Sequence, residues 1–163
     1  MASGDERSQV PEGTSGAGLR VGVVRARWNA GIVGRLAEGV TRGLDGLGVT
    51  DRVECSVPGS FEIPLAAKLL AASGTVDAVV CIGAVVRGET THYEIVSGEC
   101  ARGVQQAQLD TGVPILFGVL TVENEAQADA RSQGAGGHNV GEEAAVGAVE
   151  MALLARSLRE LKG

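Results

Sequence analysis

The chain has 163 residues, 14 basic and 20 acidic, with a formal net charge of -6; that length can bury a core without disulfides or metals, and that charge offers no global attraction to nucleic acid or an anionic membrane. Apolar residues make up 44% of the chain but aromatics only 2%, so the core has to be built from Val, Ile, Leu and Ala, and each aromatic calls for its own explanation. Cys55, Cys81 and Cys100 form no C-x-x-C pair, which argues against a zinc site or a disulfide framework, and neither a membrane-spanning run nor a signal-peptide layout is present, so a cytoplasmic location with reduced thiols is expected.

Residues 1–18 are rich in Gly, Ser, Glu and Pro and poor in apolar side chains. Burial there cannot offset the entropy of ordering, so a disordered tail is expected ahead of one domain over 19–163. Four short β-rich runs follow, Leu19 to Ala26, Arg52 to Val57, Ala78 to Val86 and Val113 to Val122, with helix-like segments between them. Asn29 to Leu47 carries apolar residues at helical spacing, and Pro64 to Ala72 is Ala/Leu-rich with Pro at a tolerated early position. Thr91 to Leu109 begins with T-x-x-E, Thr91 to Glu94, a capping-box pattern that sets His92 in the helix's first turn. Asn124 to Arg131 reads as a short helix, after which the Gly-rich G-A-G-G-H leads to Asn139-x-x-Glu142, a second cap. In the last helix Ala144, Ala148, Met151, Ala155 and Leu158 fall on one stripe, with Glu early and Arg late as the helix dipole favours. Strand and helix in alternation imply an α/β fold of three layers: an open four-stranded parallel sheet of flavodoxin-like layout, with helices on both faces.

Such sheets bind ligands outside the carboxyl ends of their strands. There Trp28, the single tryptophan, offers either a flat face for a planar ligand or a plug over the sheet edge. Phe61-Glu62 offers either a ring beside a hydroxyl acceptor or a helix-entry contact and a solvated acid. Gly88-Glu89-Thr90 precedes a helix N-terminus, where unpaired N–H groups favour an anion such as phosphate, although the Glu89 carboxylate must then point away. In the same first turn the dipole disfavours an imidazolium, so His92 reads equally as a ring able to accept and relay a proton beside a bound phosphate ester or as an exposed histidine of no consequence. His138, in the Gly-rich loop, reads as a surface residue.

Taken together, V-P-G-S-F-E-I-P, G-A-V-V-R-G-E-T-T-H-Y-E, T-G-V-P-I-L-F-G-V-L-T-V-E-N and A-V-E-M resemble, in order, the motifs of the lumazine synthase family from about Leu19 to the final helix. The resemblance implies a transferase, 6,7-dimethyl-8-ribityllumazine synthase, acting at the penultimate step of riboflavin biosynthesis. It would condense 5-amino-6-(D-ribitylamino)uracil with 3,4-dihydroxy-2-butanone 4-phosphate to 6,7-dimethyl-8-ribityllumazine, with no metal or organic cofactor. It also implies roles: Trp28 stacks on the pyrimidine; Ser60, Phe61 and Glu62 hold the ribityl chain and ring; Ala84, Val85 and Val86 contact the pyrimidine through the main chain; Glu89 and Thr90 bind phosphate; and His92 transfers protons. Phe117 and Arg131 would reach the site from the adjacent subunit, Phe117 to cover the ring and Arg131 to bind phosphate. The family forms rings of five subunits, some of which assemble into sixty-subunit icosahedral shells, so a homo-oligomer is implied, with riboflavin synthase as a further partner. One departure stands out. Where the family commonly reads A-G-N-K-G with a lysine near the phosphate, this chain reads G-G-H-N-V-G, with Val140 at the lysine position and His138 as a substitute to consider. A flavin- or lumazine-binding paralogue, or a shell-forming protein with reduced catalysis, therefore stays open beside the enzyme.

Overall fold

A computed structural model of the chain describes residues 9–161. Four strands, β1 (Arg20–Ala26), β2 (Asp51–Val57), β3 (Ala78–Val86) and β4 (Ile115–Val122), form one parallel sheet in the order β2-β1-β3-β4. Five helices connect and follow them: α1 (Ala30–Gly46), α2 (Ile63–Ala72), α3 (His92–Thr111), α4 (Glu125–Ala130) and α5 (Val140–Arg159), with a single 3-10 turn, Ser60–Glu62, ahead of α2. The expected three layers are present. β3 reads A-V-V-C-I-G-A-V-V, a continuous apolar run, because a central parallel strand is covered on both faces.

Alternation along the strands divides the core in two. On one face Val21, Val23, Val80 and Ile82 pack against Ile32, Val33, Leu36, Val40 and Leu44 of α1 and against α5. On the other, Val24, Val79, Cys81, Ile115 and Val119 pack against α2 and α3. Neither cluster contains an aromatic side chain. Trp28, Phe61, Tyr93 and Phe117, which are all the aromatics of the chain, lie outside the core.

Small residues let α1 and α5 cross closely: a Cβ added at Gly141 would lie 2.2 Å from the Leu36 carbonyl oxygen, and one at Gly43 would lie 2.9 Å from Ala145 Cβ. The crossing is pinned by Asn139, which is buried. Its amide donates to the carbonyls of Arg35 (3.0 Å) and Gln133 (2.9 Å), and its oxygen accepts the Glu142 N–H at 3.1 Å, so every buried polar atom of the side chain has a partner.

Three expectations need adjustment. Thr91 makes no side-chain cap; Thr90 Oγ1 accepts the His92 N–H at 3.3 Å instead, and Glu94 turns to Arg87, because a charged guanidinium outcompetes a lone backbone N–H. The buried stripe of α5 is Gly141, Ala144, Ala145, Ala148, Val149 and Ala152, which leaves Met151 and Leu158 exposed, since the helix rotates to set its smallest residues against α1. The first eight residues of the expected tail lie outside the described residues. Gly16, within its remainder, is buried, and its N–H donates to the Leu47 carbonyl at 2.6 Å. Packing therefore begins three residues ahead of Leu19.

Candidate active site

β1, β2 and β3 end together, and the segments after them enclose a cleft of about 580 Å³. From β1 come Trp28 and Asn29, from β2 Gly59 to Glu62, from β3 Ala84 to Val86, and from the first two turns of α3 His92, Ile95 and Val96. The walls are apolar with a few polar groups at defined places, as a site for a small organic molecule requires.

Asn29 decides how Trp28 stands. It has φ 59° and ψ 50°, the left-handed region that Asn tolerates better than most residues, and it is the only non-glycine there among the described residues. Its side-chain amide donates to the Ala84 carbonyl at 2.8 Å, tying the end of β1 to the end of β3. The chain thus turns sharply into α1 and leaves the indole 73% exposed at the rim of the cleft. Across from it Phe61 is 55% exposed. Between them a Cβ added at Gly59 would meet Trp28 Cδ1 at a tight 3.0 Å and Glu62 Oε2 at 3.4 Å, so the indole edge and the carboxylate converge over one backbone position. Two large apolar faces held in water at the mouth of a cleft have a hydrophobic cost that a planar ligand would relieve.

The floor is the edge of β3. Gly83 packs beneath Ser60, which is buried, while Ala84, Val85 and Val86 run past the last β1 contacts and stay paired with β4 alone, the Ala84 carbonyl accepting from Asn29. His92 opens α3 at the exposed side of the cleft. Nearby, Arg87 donates from Nε to Glu123 at 2.6 Å and from Nη1 to Glu94. The hydrogen bond from Arg87 holds the Glu94 carboxyl below the usual carboxylate range, and the same two partners raise the Arg87 guanidinium. Among the described residues, no group of three His, Cys, Asp or Glu side chains comes together to hold a metal ion.

The cleft therefore gathers Trp28, Ser60, Phe61, Glu62, Ala84, Val85, Val86 and His92. Glu89 and Thr90 sit in the exposed loop just before His92, outside its walls. Phe117 lies midway along the edge strand β4, opposite Cys81, and Arg131 follows α4 with Nη1 donating to the Gln127 carbonyl at 2.9 Å; neither lines the cleft of its own chain. Val140 packs against the α1/α5 core, and its N–H donates to the Arg131 carbonyl at 2.9 Å, so it stands directly beside Arg131. His138 is drawn the other way, its Nε2 lying 3.2 Å from Glu143 in the first turn of α5. Asn29 and Arg87 stand at strand ends in the sequence, but its pattern gives neither a role. The signal for the first was an Asn between a strand and an Ala-Gly helix start, and for the second a charge flanked by Glu94 and Glu123 only once β3 and β4 are paired in register.

A family model described as 6,7-dimethyl-8-ribityllumazine synthase matches residues 18–156. The chain belongs to this family. It is 49% identical to the 6,7-dimethyl-8-ribityllumazine synthase of Thermococcus gammatolerans over 93% of this chain and 97% of the relative. A second such synthase, from Thermococcus kodakarensis, is 48% identical over 89% of this chain and 92% of its own length. The synthase of Paraburkholderia phymatum is 44% identical over 97% and 90% respectively. As a lumazine synthase family member the chain is a transferase of riboflavin biosynthesis acting on small-molecule substrates, and the four-stranded parallel sheet is the family's flavodoxin-like layout.

Proposed function

We propose that the cleft between Trp28, Phe61 and His92 is where 5-amino-6-(D-ribitylamino)uracil and 3,4-dihydroxy-2-butanone 4-phosphate condense to 6,7-dimethyl-8-ribityllumazine. The observation that carries the assignment is the convergence of an exposed indole, the Ser60–Glu62 turn, the end of β3 from Ala84 to Val86 and His92 on one cleft. The pyrimidine lies against Trp28 with its edge on the β3 main chain, and its ribityl hydroxyls donate to Glu62. The phosphate of the second substrate sits at the loop of Glu89 and Thr90, where the N-terminal N–H groups of α3 face an anion. The ring amine attacks the ketone and water leaves to give an imine; proton abstraction then expels phosphate, and ring closure expels a second water. His92 accepts and returns these protons, and holding the two reactants together supplies most of the rate.

Phe117 and Arg131 are assigned to the cleft of a neighbouring subunit, in a ring of five that some family members build into a shell. Exposed Leu65 and Leu69 on α2 and Ile95 and Leu109 on α3 support self-association, because apolar faces of this kind are normally covered. Arg131 is the one basic side chain assigned to the phosphate, beside the N-terminal N–H groups of α3, since Val140 brings no charge next to it. We assign catalysis to the domain of residues 19–163, its location to the cytoplasm, and the onward use of the lumazine to riboflavin synthase as a partner. Among the described residues no helix is long and apolar enough to cross a membrane.

Incubation of the purified chain with both substrates should release the lumazine and phosphate faster than the uncatalysed mixture; equal rates would remove the assignment. Mixing His92→Ala and Arg131→Ala chains after dissociation should restore turnover that neither variant has alone, and no restoration would place Arg131 in its own chain's site or in none. Tight lumazine binding without turnover would favour the binding paralogue.

A further inference from the structure

Arg87 touches three segments that otherwise share little. Its backbone N–H donates to the Val122 carbonyl at 2.9 Å, extending the β3–β4 pairing by one step, and its side chain turns back over the connection from β3 to α3. Nε donates to Glu123 Oε2 at 2.6 Å, in the connection that leaves β4. Nη1 donates to Glu94 Oε1 in the first turn of α3, and the guanidinium carbon lies 4.3 Å from the centre of the Tyr93 ring.

The loop spanned by this group has little of its own to hold it. Gly88, Glu89, Thr90 and Thr91 are all exposed, Thr91 provides no cap, and Thr90 offers a 3.3 Å contact to the His92 N–H. Without a cation between them, Glu94 and Glu123 would face each other as like charges, and the turn carrying His92 would be pushed away from the end of β4. A planar guanidinium satisfies two carboxylates and stacks on a ring at once, which an ammonium on a flexible stem cannot do.

We propose that Arg87 is a positioning residue for the condensation: it fixes the first turn of α3, and with it His92 and the main chain at Glu89 and Thr90, relative to the pyrimidine walls. The inference rests on the assignment of the condensation to this cleft, and it adds a residue that does not line the cleft. The group it positions serves the phosphate and the proton transfers, whereas Trp28, Phe61 and Glu62 stand on the ends of β1 and β2, so the two substrates should respond differently.

The test compares the full-length parent chain with Arg87→Lys, Arg87→Met, Glu94→Gln and Glu123→Gln. In Arg87→Met, KM for the phosphate ketone is expected to rise about tenfold and kcat to fall, with KM for the uracil within about twofold of the parent; Arg87→Lys should fall between. Each Gln variant keeps its side-chain shape and should shift the same KM in the same direction, which carries the test if Arg87→Met does not fold. Amide hydrogen exchange over residues 88–93 should quicken about tenfold in Arg87→Met and stay unchanged in the β1 and β2 peptides. That second readout does not depend on turnover, so an inactive parent would remove the functional assignment and leave this inference to stand or fall on exchange. Unchanged exchange over 88–93, or both KM values moving by one common factor, would overturn it.

Discussion

Gly83→Ala is a wedge placed under the site by one methyl group. Gly83 lies in β3 immediately before Ala84, and a Cβ there would stand 2.7 Å from Ser60 Oγ, 3.2 Å from Ile63 Cδ1 and 3.3 Å from Ala26 Cβ. Ordinary contact begins at 3.4 Å, so Ser60 has to give by about 0.7 Å (3.4 less 2.7). It cannot swing into solvent, because Ser60 is 5% exposed and begins the 3-10 turn that the Glu62 N–H closes onto the Gly59 carbonyl at 3.2 Å. Ile63 behind it is fully buried. Overpacking of this kind costs about 1–3 kcal/mol, which for a chain of this length lowers Tm by roughly 2–12 °C. The displaced turn carries Phe61 and Glu62, and a misplacement approaching an ångström should raise KM for the uracil by about tenfold. Thermal denaturation and steady-state kinetics with both substrates give the two numbers. Gly88→Ala is the matched control: nothing lies within 4 Å of a Cβ there and its φ is not in the positive range, so Tm should hold within about 1 °C. A Gly83→Ala protein that melts with the parent and keeps its KM for the uracil would show that Ser60 is not wedged between β3 and α2, and the placement of Phe61 and Glu62 would lose its structural basis.

Trp28→Ala should leave Tm nearly unchanged, since the indole is 73% exposed, while raising KM for the uracil by about 2–10-fold, the value of one aromatic stacking contact; an unaffected KM would take Trp28 out of the site. Asn29→Ala should melt lower than Asn29→Gly, because both lose the bond to the Ala84 carbonyl but only Ala strains the left-handed backbone, by about 1–2 kcal/mol; equal melting would assign the whole role to the side chain. A thiol reagent at pH 8 should find one of the three cysteines in the native protein. Cys55 is exposed, though partial burial and then Glu54 raise its thiol and slow it, whereas burial pushes Cys100 up to about 12 and Cys81 higher still, so more than one fast thiol per chain would contradict the packing of α3 on β3.

The elements were legible because their periods are: β3 could be read end to end from A-V-V-C-I-G-A-V-V, and α1 from Ile32, Leu36, Val40 and Leu44. The residues along the carboxyl ends of the strands were legible for a related reason, since a parallel sheet sends each strand's last residues to the same side whatever the register. What sequence alone did not reveal are interactions that exist only after strands are paired. Glu94 looks like half of a capping box beside Thr91, and it is claimed instead by Arg87, whose second carboxylate arrives from β4, thirty-six residues onward. Local pattern compares a side chain with its neighbours in the chain, but a charged group chooses among its neighbours in space, and the stronger partner wins. The same competition decides the loop ahead of α5. His138 could as well have faced the phosphate as the helix, and Glu143, at 3.2 Å, draws it to the helix, while Asn139 is fixed by three hydrogen bonds and Val140 by the core. The basic group left beside Val140 is Arg131, already hydrogen-bonded along its own helix turn; with the phosphate placed as proposed, Val140 adds no charge there and more of the recognition falls to the N-terminus of α3. On that proposal, the fixation of that first turn by Arg87 matters more here than it would with a basic residue at position 140.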